Sequence, residues 1–196
     1  MKLKEEKYNL DSFIGGWYIP ENVCDDIVAY YDKSKFRQQE GLTFKNGNLL
    51  VDTEIKESTD IYLKSEDSLF DEYNKYLQMC LNNYTNRYPE INKLYAWFSS
   101  GVENYSIQKY LPNQGYKWLH CERGSNKSSH RCLVFMTYLN NINDGGTDFL
   151  YQKITSPAKK GLTIIWPTDW THMHKSQISE TKEKMIVTGW YTFNEQ

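Results

Sequence analysis

The sequence lacks any long apolar run. None of its 196 residues lie in a stretch that approaches the roughly 20 apolar residues of a membrane helix. The opening segment MKLKEEK is mostly charged, and no apolar segment of the kind found in a secretory signal follows it. We therefore expect a soluble, cytoplasmic protein with no membrane partner.

A cysteine framework and a strong net charge are also missing. The four cysteines form no CxxC pair, which favours free thiols in a reducing compartment over a disulfide scaffold. The formal net charge of −2 gives no electrostatic reason to expect a polyanion, so we expect no nucleic-acid partner. No repeat, low-complexity segment or linker divides the chain, and we expect a single domain over residues 1–196.

Helical periodicity is confined to the first half of the chain. One helix begins near Pro20, which suits a first helical position. Another follows Ser68, a candidate N-cap, and should end at Pro89. The residues at helical spacing are Val23, Ile27, Val28 and Tyr31 in the first segment and Leu69, Tyr73, Tyr76, Leu77, Cys80, Leu81 and Tyr84 in the second. We predict that residues 1–93 are mostly helical support, with these side chains packed in the core.

The second half of the chain reads as β structure. Short runs rich in β-branched and aromatic residues alternate with turn signals. The runs are 94–98, 105–111, 132–139, 149–153, 162–166 and 185–193, and the turns are 112–115, 143–146 and 157–161. We predict a mainly β protein with supporting helices (α+β). Residues 94–196 would form a double-stranded β-helix, a cupin-like jelly-roll.

The chain has four histidines, all in the β half, and one of them belongs to the motif His120-Cys121-Glu122. Residues two apart on an extended segment point to the same side, so this imidazole and carboxylate can bind one cation together. A second histidine from a later strand would complete two His and one carboxylate, a set that leaves open positions on iron. Taken alone, the motif is more often a hydrogen-bonded polar pair than a metal site.

Further motifs occur in a definite order around His120. They are Tyr110 before it, then Arg131 with a strand ending in Tyr138-Leu139-Asn140, the Gly145-Gly146 turn before Thr147 and Phe149, the strand after Gly161, and Lys184 on a strand ending in Trp190. From about Ser106 to Phe193 this order resembles the prolyl 4-hydroxylase-like group of 2-oxoglutarate/iron(II) dioxygenases. The segment FIGGWYIP near the N-terminus resembles the openings of small phage and bacterial members.

The resemblance implies His120, Glu122 and His174 as ligands of iron(II). His172 and His174 would lie on one side of a strand, so either could point at the metal. The resemblance favours His174 as the distal ligand, because His174 precedes Lys184 by the family's usual interval, and His172 would then support the ligands or lie on the substrate side. Most of the group has Asp where this chain has Glu122, a change that keeps the charge and lengthens the reach. The implied co-substrates are 2-oxoglutarate and dioxygen, and ascorbate is an expected accessory reductant.

Lys184 is the residue expected to pair with the far carboxylate of 2-oxoglutarate. Strand alternation puts Lys184, Ile186, Thr188 and Trp190 on one mostly enclosed face. A lone ammonium there would be costly unless an anion met it. The alternative is an ordinary surface lysine.

The resemblance assigns the other pocket residues. Tyr138 and Tyr110 would donate hydroxyl groups to 2-oxoglutarate, and Thr188 would line the pocket. Arg131 and Trp118 would lie on the substrate side. The two tyrosines could instead be core residues, and Arg131 could form a structural salt bridge.

The implied activity is hydroxylation of a C–H bond in a peptide or small-molecule partner, with prolyl residues of a peptide or a free amino acid as the expected substrates. Two alternatives remain at this point. One is a non-catalytic metal-binding module with a jelly-roll fold, and the other is a zinc hydrolase that uses the same ligands.

Overall fold

The computed structural model describes residues 2–45, 48–64, 70–93, 97–102 and 104–193, with the backbone alone described for 97–102. Two α-helices lie in these ranges, α1 (Glu21–Lys33) and α2 (Asp71–Arg87). The strands before α2 are β1 (Lys4–Glu6), β2 (Gly15–Tyr18), β3 (Gln39–Glu40), β4 (Thr43–Lys45), β5 (Asn48–Leu50) and β6 (Thr59–Leu63). After α2 come β7 (Trp97–Val102), β8 (Tyr105–Tyr110), β9 (Arg131–Tyr138), β10 (Ile142–Phe149), β11 (Ile154–Ala158), β12 (Leu162–Pro167), β13 (His174–Ser176) and β14 (Lys184–Phe193).

The strands form one large and two small antiparallel sheets. The large sheet has the order β1-β2-β12-β9-β14-β8-β6-β3, and β7 pairs with β14. A smaller sheet has the order β11-β10-β13, and β4 and β5 form a separate hairpin. The mainly β architecture with two supporting helices is therefore confirmed.

Alternation along the central strands creates two cores. On β9, Leu133 and Phe135 face the helices, whereas Val134, Met136 and Tyr138 face the small sheet. On β14, residues 185 and 187 belong to the helix side and residue 186 to the inner side. Because successive side chains of a strand point to opposite faces, the large sheet lies between the two cores and contributes side chains to each.

The helices cover the outer face of the large sheet with the predicted apolar stripes. Their buried residues are Val23, Cys24, Ile27 and Tyr31 on α1 and Tyr73, Leu77, Cys80, Leu81 and Tyr84 on α2. The buried hydroxyl of Tyr73 lies 2.8 Å from Oγ1 of Thr137 on β9. Helix and sheet are thus joined by a polar contact as well as by apolar burial.

The prediction that residues 1–93 are mostly helical is wrong. Six strands lie in that range, and β1, β2, β3 and β6 extend the large sheet at both ends. These strands have two to five residues, too few to show a clear period. The two halves of the chain therefore build one sheet together.

The strand predicted at 149–153 is also wrong, as is the turn predicted at 143–146. The strand is β10, which contains both glycines and ends at Phe149. A Cβ on Gly146 would lie 2.1 Å from the carbonyl oxygen of Ser156, so glycine here allows close approach of β11. The register also shifts between Ile142 and Thr147, as at a bulge.

Three smaller predictions fall partly or wholly outside the described residues. These are the N-cap at Ser68, Leu69 as the first residue of the second helical stripe, and the start of the strand at 94–98, whose described part begins at Trp97. In the described part of the chain, no helix combines the length and apolarity that crossing a membrane requires.

Candidate metal centre

Three side chains from two distant parts of the chain meet at one point. His120 and Glu122 lie in the loop between β8 and β9, and His174 begins β13. The Nε2 atoms of His120 and His174 lie 3.5 and 3.6 Å from Oε1 of Glu122. One potential ligand atom from each of the three residues falls within 4.8 Å of the others. The structure thus brings together the three residues predicted as metal ligands.

Backbone hydrogen bonds hold the two histidines side by side. The N–H of His120 donates to the carbonyl of His174 at 3.0 Å, and the N–H of His174 donates back at 2.9 Å. The N–H of Ser176 donates to the carbonyl of Tyr116 at 3.0 Å. The ring of Tyr116 stacks on the His120 imidazole with centroids 3.6 Å apart. These contacts fix the loop before β9 against β13 and set the separation of the imidazoles.

Both imidazoles direct Nδ1 away from the meeting point. Nδ1 of His120 lies 3.0 Å from the carbonyl oxygen of Trp118, and Nδ1 of His174 lies 2.9 Å from that of His172. Since a carbonyl oxygen only accepts, each Nδ1 is the donor in its contact, and each Nε2 is the ring nitrogen that faces Glu122. Metal-binding histidines are oriented by the same kind of backbone contact.

One oxygen of Glu122 is held by protein donors and the other faces the histidines. The indole N–H of Trp190 donates to Oε2 at 2.9 Å. Nη1 of Arg131 lies 3.9 Å from the same oxygen, and its guanidinium lies 3.6 Å from the Trp190 ring centroid. The backbone N–H of Glu122 donates to the carbonyl of Thr168 at 3.1 Å. Oε1 therefore remains available to a cation.

The protonation states of the cluster suit a divalent cation. Burial lowers the pKa of His120, and His174 lowers it further. Burial acts to raise the pKa of Glu122, but its contacts with His120 and His174 together outweigh burial and hold that pKa well below its usual range. Neutral imidazole and carboxylate anion are the forms that bind metal. The 3.5 and 3.6 Å separations exceed normal hydrogen-bond lengths, so a shared cation fits this donor set.

The cluster opens into a cavity of about 1150 Å³. Small-molecule sites commonly occupy about 300–1,000 Å³, so there is room for more than one small molecule beside the cluster. As the alternation of β14 predicted, Lys184, Ile186, Thr188 and Trp190 all line this space. Each of the three cluster residues lines it as well.

Lys184 is a buried ammonium in the cavity wall, with 4% of its surface exposed. Its Nζ donates to Oγ of Ser176 and, at 3.0 Å, to the carbonyl of Gln177. Nζ also lies 5.2 Å from the ring centroid of Tyr110. Burial lowers the pKa of Lys184 to about 8, against a smaller opposing effect of Asp144 and Asp148. Its hydrogen-bond partners are all neutral, which leaves the charge available to an anionic ligand.

The other residues predicted to bind the co-substrate also line the cavity. The hydroxyl of Tyr138 lies 2.8 Å from Oγ1 of Thr147 and 2.6 Å from Oγ of Ser156. The hydroxyl of Tyr110 donates to Oε1 of Gln108. Thr188 also lines the cavity, and its Oγ1 donates to the carbonyl of Phe135 at 3.0 Å.

The two residues predicted on the substrate side differ in placement. Arg131 lines the cavity and contacts Glu122 and Trp190. The side chain of Trp118 is 56% exposed and does not line the cavity. Its carbonyl orients His120 instead. The exposed indole follows from the bend of the loop, which directs the His120 side chain inward and the Trp118 side chain outward.

His172 does not take part in the cluster. It lies in a short 3₁₀ turn, Trp170–His172, rather than on a strand. Its Nε2 lies 3.0 Å from the carbonyl of Ser12 and its Nδ1 lies 3.0 Å from Oγ1 of Thr171. Both ring nitrogens of His172 are thus occupied by other partners, which explains why His174 rather than His172 meets the carboxylate.

Two residues of the centre were not identified from the sequence. Tyr116 stacks on His120, and the Trp190 indole is hydrogen-bonded to Glu122. The sequence predicted Trp190 as the end of a motif and as part of the enclosed face of its strand, but not as a partner of Glu122. The sequence did contain one indication of such a partner. Glu122 is longer than the Asp found in most of the resembled group, and a longer carboxylate needs a hydrogen-bond partner to fix its position.

A family model covers the part of the chain that holds this centre. Residues 105–192 match the model described as the 2OG-Fe(II) oxygenase superfamily. The match spans β8 to β14 and includes all three cluster residues and Lys184. No curated protein sequence matches the chain at a significant level.

Several solved structures share the fold over nearly the whole chain. A viral collagen prolyl hydroxylase from Paramecium bursaria Chlorella virus-1, in a 2OG complex, is 16% identical with a TM-score of 0.66, covering 93% of this chain and 97% of that one. A prolyl-4-hydroxylase from Pseudomonas putida is 13% identical with a TM-score of 0.66 and 92% coverage of each chain. A prolyl hydroxylase from Trichoplax adhaerens, bound to a hypoxia inducible factor peptide fragment, is 14% identical with a TM-score of 0.72, covering 93% and 84%.

These likenesses confirm the predicted jelly-roll fold, while the family model identifies the β half by sequence. Residues 105–192 thus match the 2OG-Fe(II) oxygenase superfamily in sequence, and the chain as a whole shares its fold with prolyl hydroxylases.

Proposed function

We propose that this chain is a dioxygenase that hydroxylates a C–H bond, with iron(II) held by His120, Glu122 and His174 and 2-oxoglutarate anchored by Lys184. The observation that carries the proposal is the convergence of three ligand atoms beside a cavity that also contains a buried ammonium. Packing alone explains neither feature. The buried ammonium would need an anion to offset its charge, and the three converging ligand atoms would need a cation to offset their lone pairs.

The metal and its co-substrates would supply the oxidation, and the protein would hold them in position. Bound iron(II) with 2-oxoglutarate and dioxygen supplies the oxidation that converts C–H to C–OH and releases succinate and carbon dioxide. His120 and His174 would each give Nε2 and Glu122 would give Oε1. Because these would be its three protein ligands, the metal would remain open to co-substrate and dioxygen.

The proposed role of the wall is to orient 2-oxoglutarate and exclude water. Lys184 would bind the carboxylate that is distant from the metal, and Ser176 already contacts its ammonium. Tyr110 and Tyr138 would donate their hydroxyl groups to the co-substrate in exchange for their present contacts with neighbouring side chains. Apolar side chains such as Ile186 complete the lining, which keeps the charged contacts away from bulk solvent.

A peptide or a small molecule is the proposed substrate. The Trichoplax neighbour was solved with a peptide, and the viral neighbour is described as a collagen prolyl hydroxylase. We propose prolyl residues of a peptide as the first candidate and a free amino acid as the second. Ascorbate as an accessory reductant stays a prediction.

Zinc would accept the same three donors. The buried Lys184 favours the oxygenase over a zinc hydrolase, since an anchored dicarboxylate gives this ammonium a role that hydrolysis does not.

Succinate formation tests the proposal. Purified protein with iron(II), 2-oxoglutarate and dioxygen would be assayed against prolyl peptides and free amino acids, and 2-oxoglutarate binding would be measured anaerobically by calorimetry. We expect binding of 2-oxoglutarate and succinate release that depends on substrate. No binding and no succinate with any substrate would reject the proposal.

The Glu122→Ala variant tests the ligand assignment. It leaves two imidazoles without the anion that offsets the metal charge, so we expect succinate formation to fall at least about 100-fold. Glu180→Ala is the matched control, because Glu180 is exposed and outside the cavity. Near-normal turnover by Glu122→Ala would show that another residue supplies the carboxylate.

A further inference from the structure

A second buried ammonium lines the cavity. Nζ of Lys56 donates to Oδ2 of Asp60 at 2.6 Å, and the two side chains are 3% and 0% exposed. The hydroxyl of Tyr62 donates to the same oxygen at 2.9 Å. A buried ion pair of this kind contributes little stability on its own, because desolvation opposes the attraction.

Backbone contacts place Lys56 next to the metal centre. A single antiparallel bridge pairs Lys56 with Tyr116, whose ring stacks on His120. The N–H of Lys117 donates to the carbonyl of Ile55 at 2.7 Å. Paired residues of neighbouring strands point to the same face, so the Lys56 side chain lies beside the Tyr116–His120 stack.

The ion pair is asymmetric toward the cavity. Lys56 lines the cavity and Asp60 does not. Within the described residues, the Lys56 ammonium donates one hydrogen bond, to Oδ2 of Asp60. The other N–H groups of Lys56 have no acceptor among these residues. Asp60 therefore holds the ammonium from behind, and a molecule in the cavity meets a hydrogen-bond donor with positive charge.

The charge of the wall favours an anion. Glu122 is the one acidic residue among the described lining residues, although the whole chain has a formal net charge of −2. The basic lining residues are Arg37, Lys56, Lys64, Lys127, Arg131 and Lys184. Iron(II) and the 2-oxoglutarate dianion cancel each other's charge, so their binding would not change this excess of basic over acidic lining residues.

We propose that Lys56 is a substrate-recognition residue that binds a carboxylate of the substrate, while Lys184 serves 2-oxoglutarate. This inference rests on the proposed function and adds a substrate class to it, molecules with a carboxylate near the carbon that is hydroxylated. The carboxylate has two possible sources. It is either the main-chain carboxylate of an amino acid or the side chain of an acidic residue next to the reacting residue of a peptide.

Two matched probe pairs distinguish these sources. N-acetyl-L-proline against N-acetyl-L-prolinamide tests the main-chain carboxylate. N-acetyl-prolyl-glutamate amide against N-acetyl-prolyl-glutamine amide tests the side chain. Binding to protein loaded with Mn(II) and 2-oxoglutarate would be measured from the relaxation of probe protons by the metal. We expect at least one carboxylate probe to bind about tenfold more tightly than its amide, as one charged hydrogen bond gives.

Variants connect that preference to Lys56. The Lys56→Met variant should lose the preference for carboxylate probes over amide probes and should still bind 2-oxoglutarate. The double variant Lys56→Met, Asp60→Asn removes both charges, so no unpaired buried carboxylate interferes with folding. Lys64→Met, which removes an exposed lysine of the same wall, is the control and should keep the preference.

Each outcome decides the inference. It is overturned if carboxylate and amide probes bind equally, if the preference survives in both Lys56 variants, or if Lys64→Met removes it as well. Loss of 2-oxoglutarate binding in Lys56→Met would overturn the division of roles between the lysines. Failure of the wild type to bind 2-oxoglutarate would instead reject the proposed function.

Discussion

Replacing Trp190 with Phe should weaken metal binding without changing any metal ligand. The indole N–H holds Oε2 of Glu122 at 2.9 Å and so directs Oε1 to the histidines. A hydrogen bond to a charged group contributes about 1.5–3 kcal/mol. Arg131 lies 3.9 Å from the same oxygen and can take over part of that contact. We therefore expect about 10-fold weaker metal binding, the lower part of the range seen when such supporting contacts are lost.

Anaerobic calorimetry with iron(II) or Mn(II) measures this effect directly. The control is Trp17→Phe. Trp17 is buried in the helix-side core, so this substitution removes the same ring volume away from the cluster. Both variants should lose some stability in thermal unfolding, but only Trp190→Phe should lose metal affinity.

The reasoning has a clear point of failure. If Trp190→Phe bound metal within twofold of the wild type while Glu122→Ala did not, the carboxylate would be oriented by its backbone and by Arg131 alone. The contact between the indole and Glu122 would then be incidental.

Two further predictions concern Lys184 and Gly161. Because burial lowers the pKa of Lys184 to about 8, its charged fraction falls above that pH, and 2-oxoglutarate affinity measured by calorimetry should fall about tenfold between pH 7 and pH 9. In Lys184→Arg, which stays charged, this pH dependence should disappear; a dependence that persists would assign it to another group. Gly161 has φ +81°, and a Cβ there would lie 2.4 Å from the carbonyl oxygen of Ile19, so Gly161→Ala should lower the free energy of unfolding in urea by at least about 1–3 kcal/mol. Gly124→Ala, where a Cβ meets nothing within 4 Å, is its control, and equal stability of the two variants would contradict this account.

The part of the fold predicted best was the part with regular periodicity. The helical stripes ending at Tyr31 and Tyr84 and the alternation of β14 lie where the sequence predicted them. The strands of the N-terminal half were missed because they are short, and β2 contains the pair Gly15-Gly16. A Cβ on Gly15 would lie 2.5 Å from the Trp17 ring, so local packing, not periodicity, explains this strand.

The residues of the metal centre were predicted from the order of motifs rather than from local spacing. The pattern His-x-Glu does not show that His174 pairs with His120, because that pairing depends on the β13 segment meeting the loop before β9. Lys56 and Asp60 gave even less signal. The segment IKESTD reads as an exposed polar stretch, and its burial arises only when the chain packs against Tyr116.

The two buried lysines bear on why this cavity is built as it is. Burying an ammonium opposes folding unless charge or hydrogen bonds compensate, and apolar residues of similar size would often fill the same space at lower cost. Among the described residues, the hydrogen-bond acceptors of Lys184 are neutral groups, and that of Lys56 is a carboxylate behind it. Each ammonium is thus incompletely neutralised by the protein on its cavity side. Such an arrangement gains most when anions bind, which is consistent with a site that takes one dicarboxylate co-substrate and one acidic substrate next to the same metal.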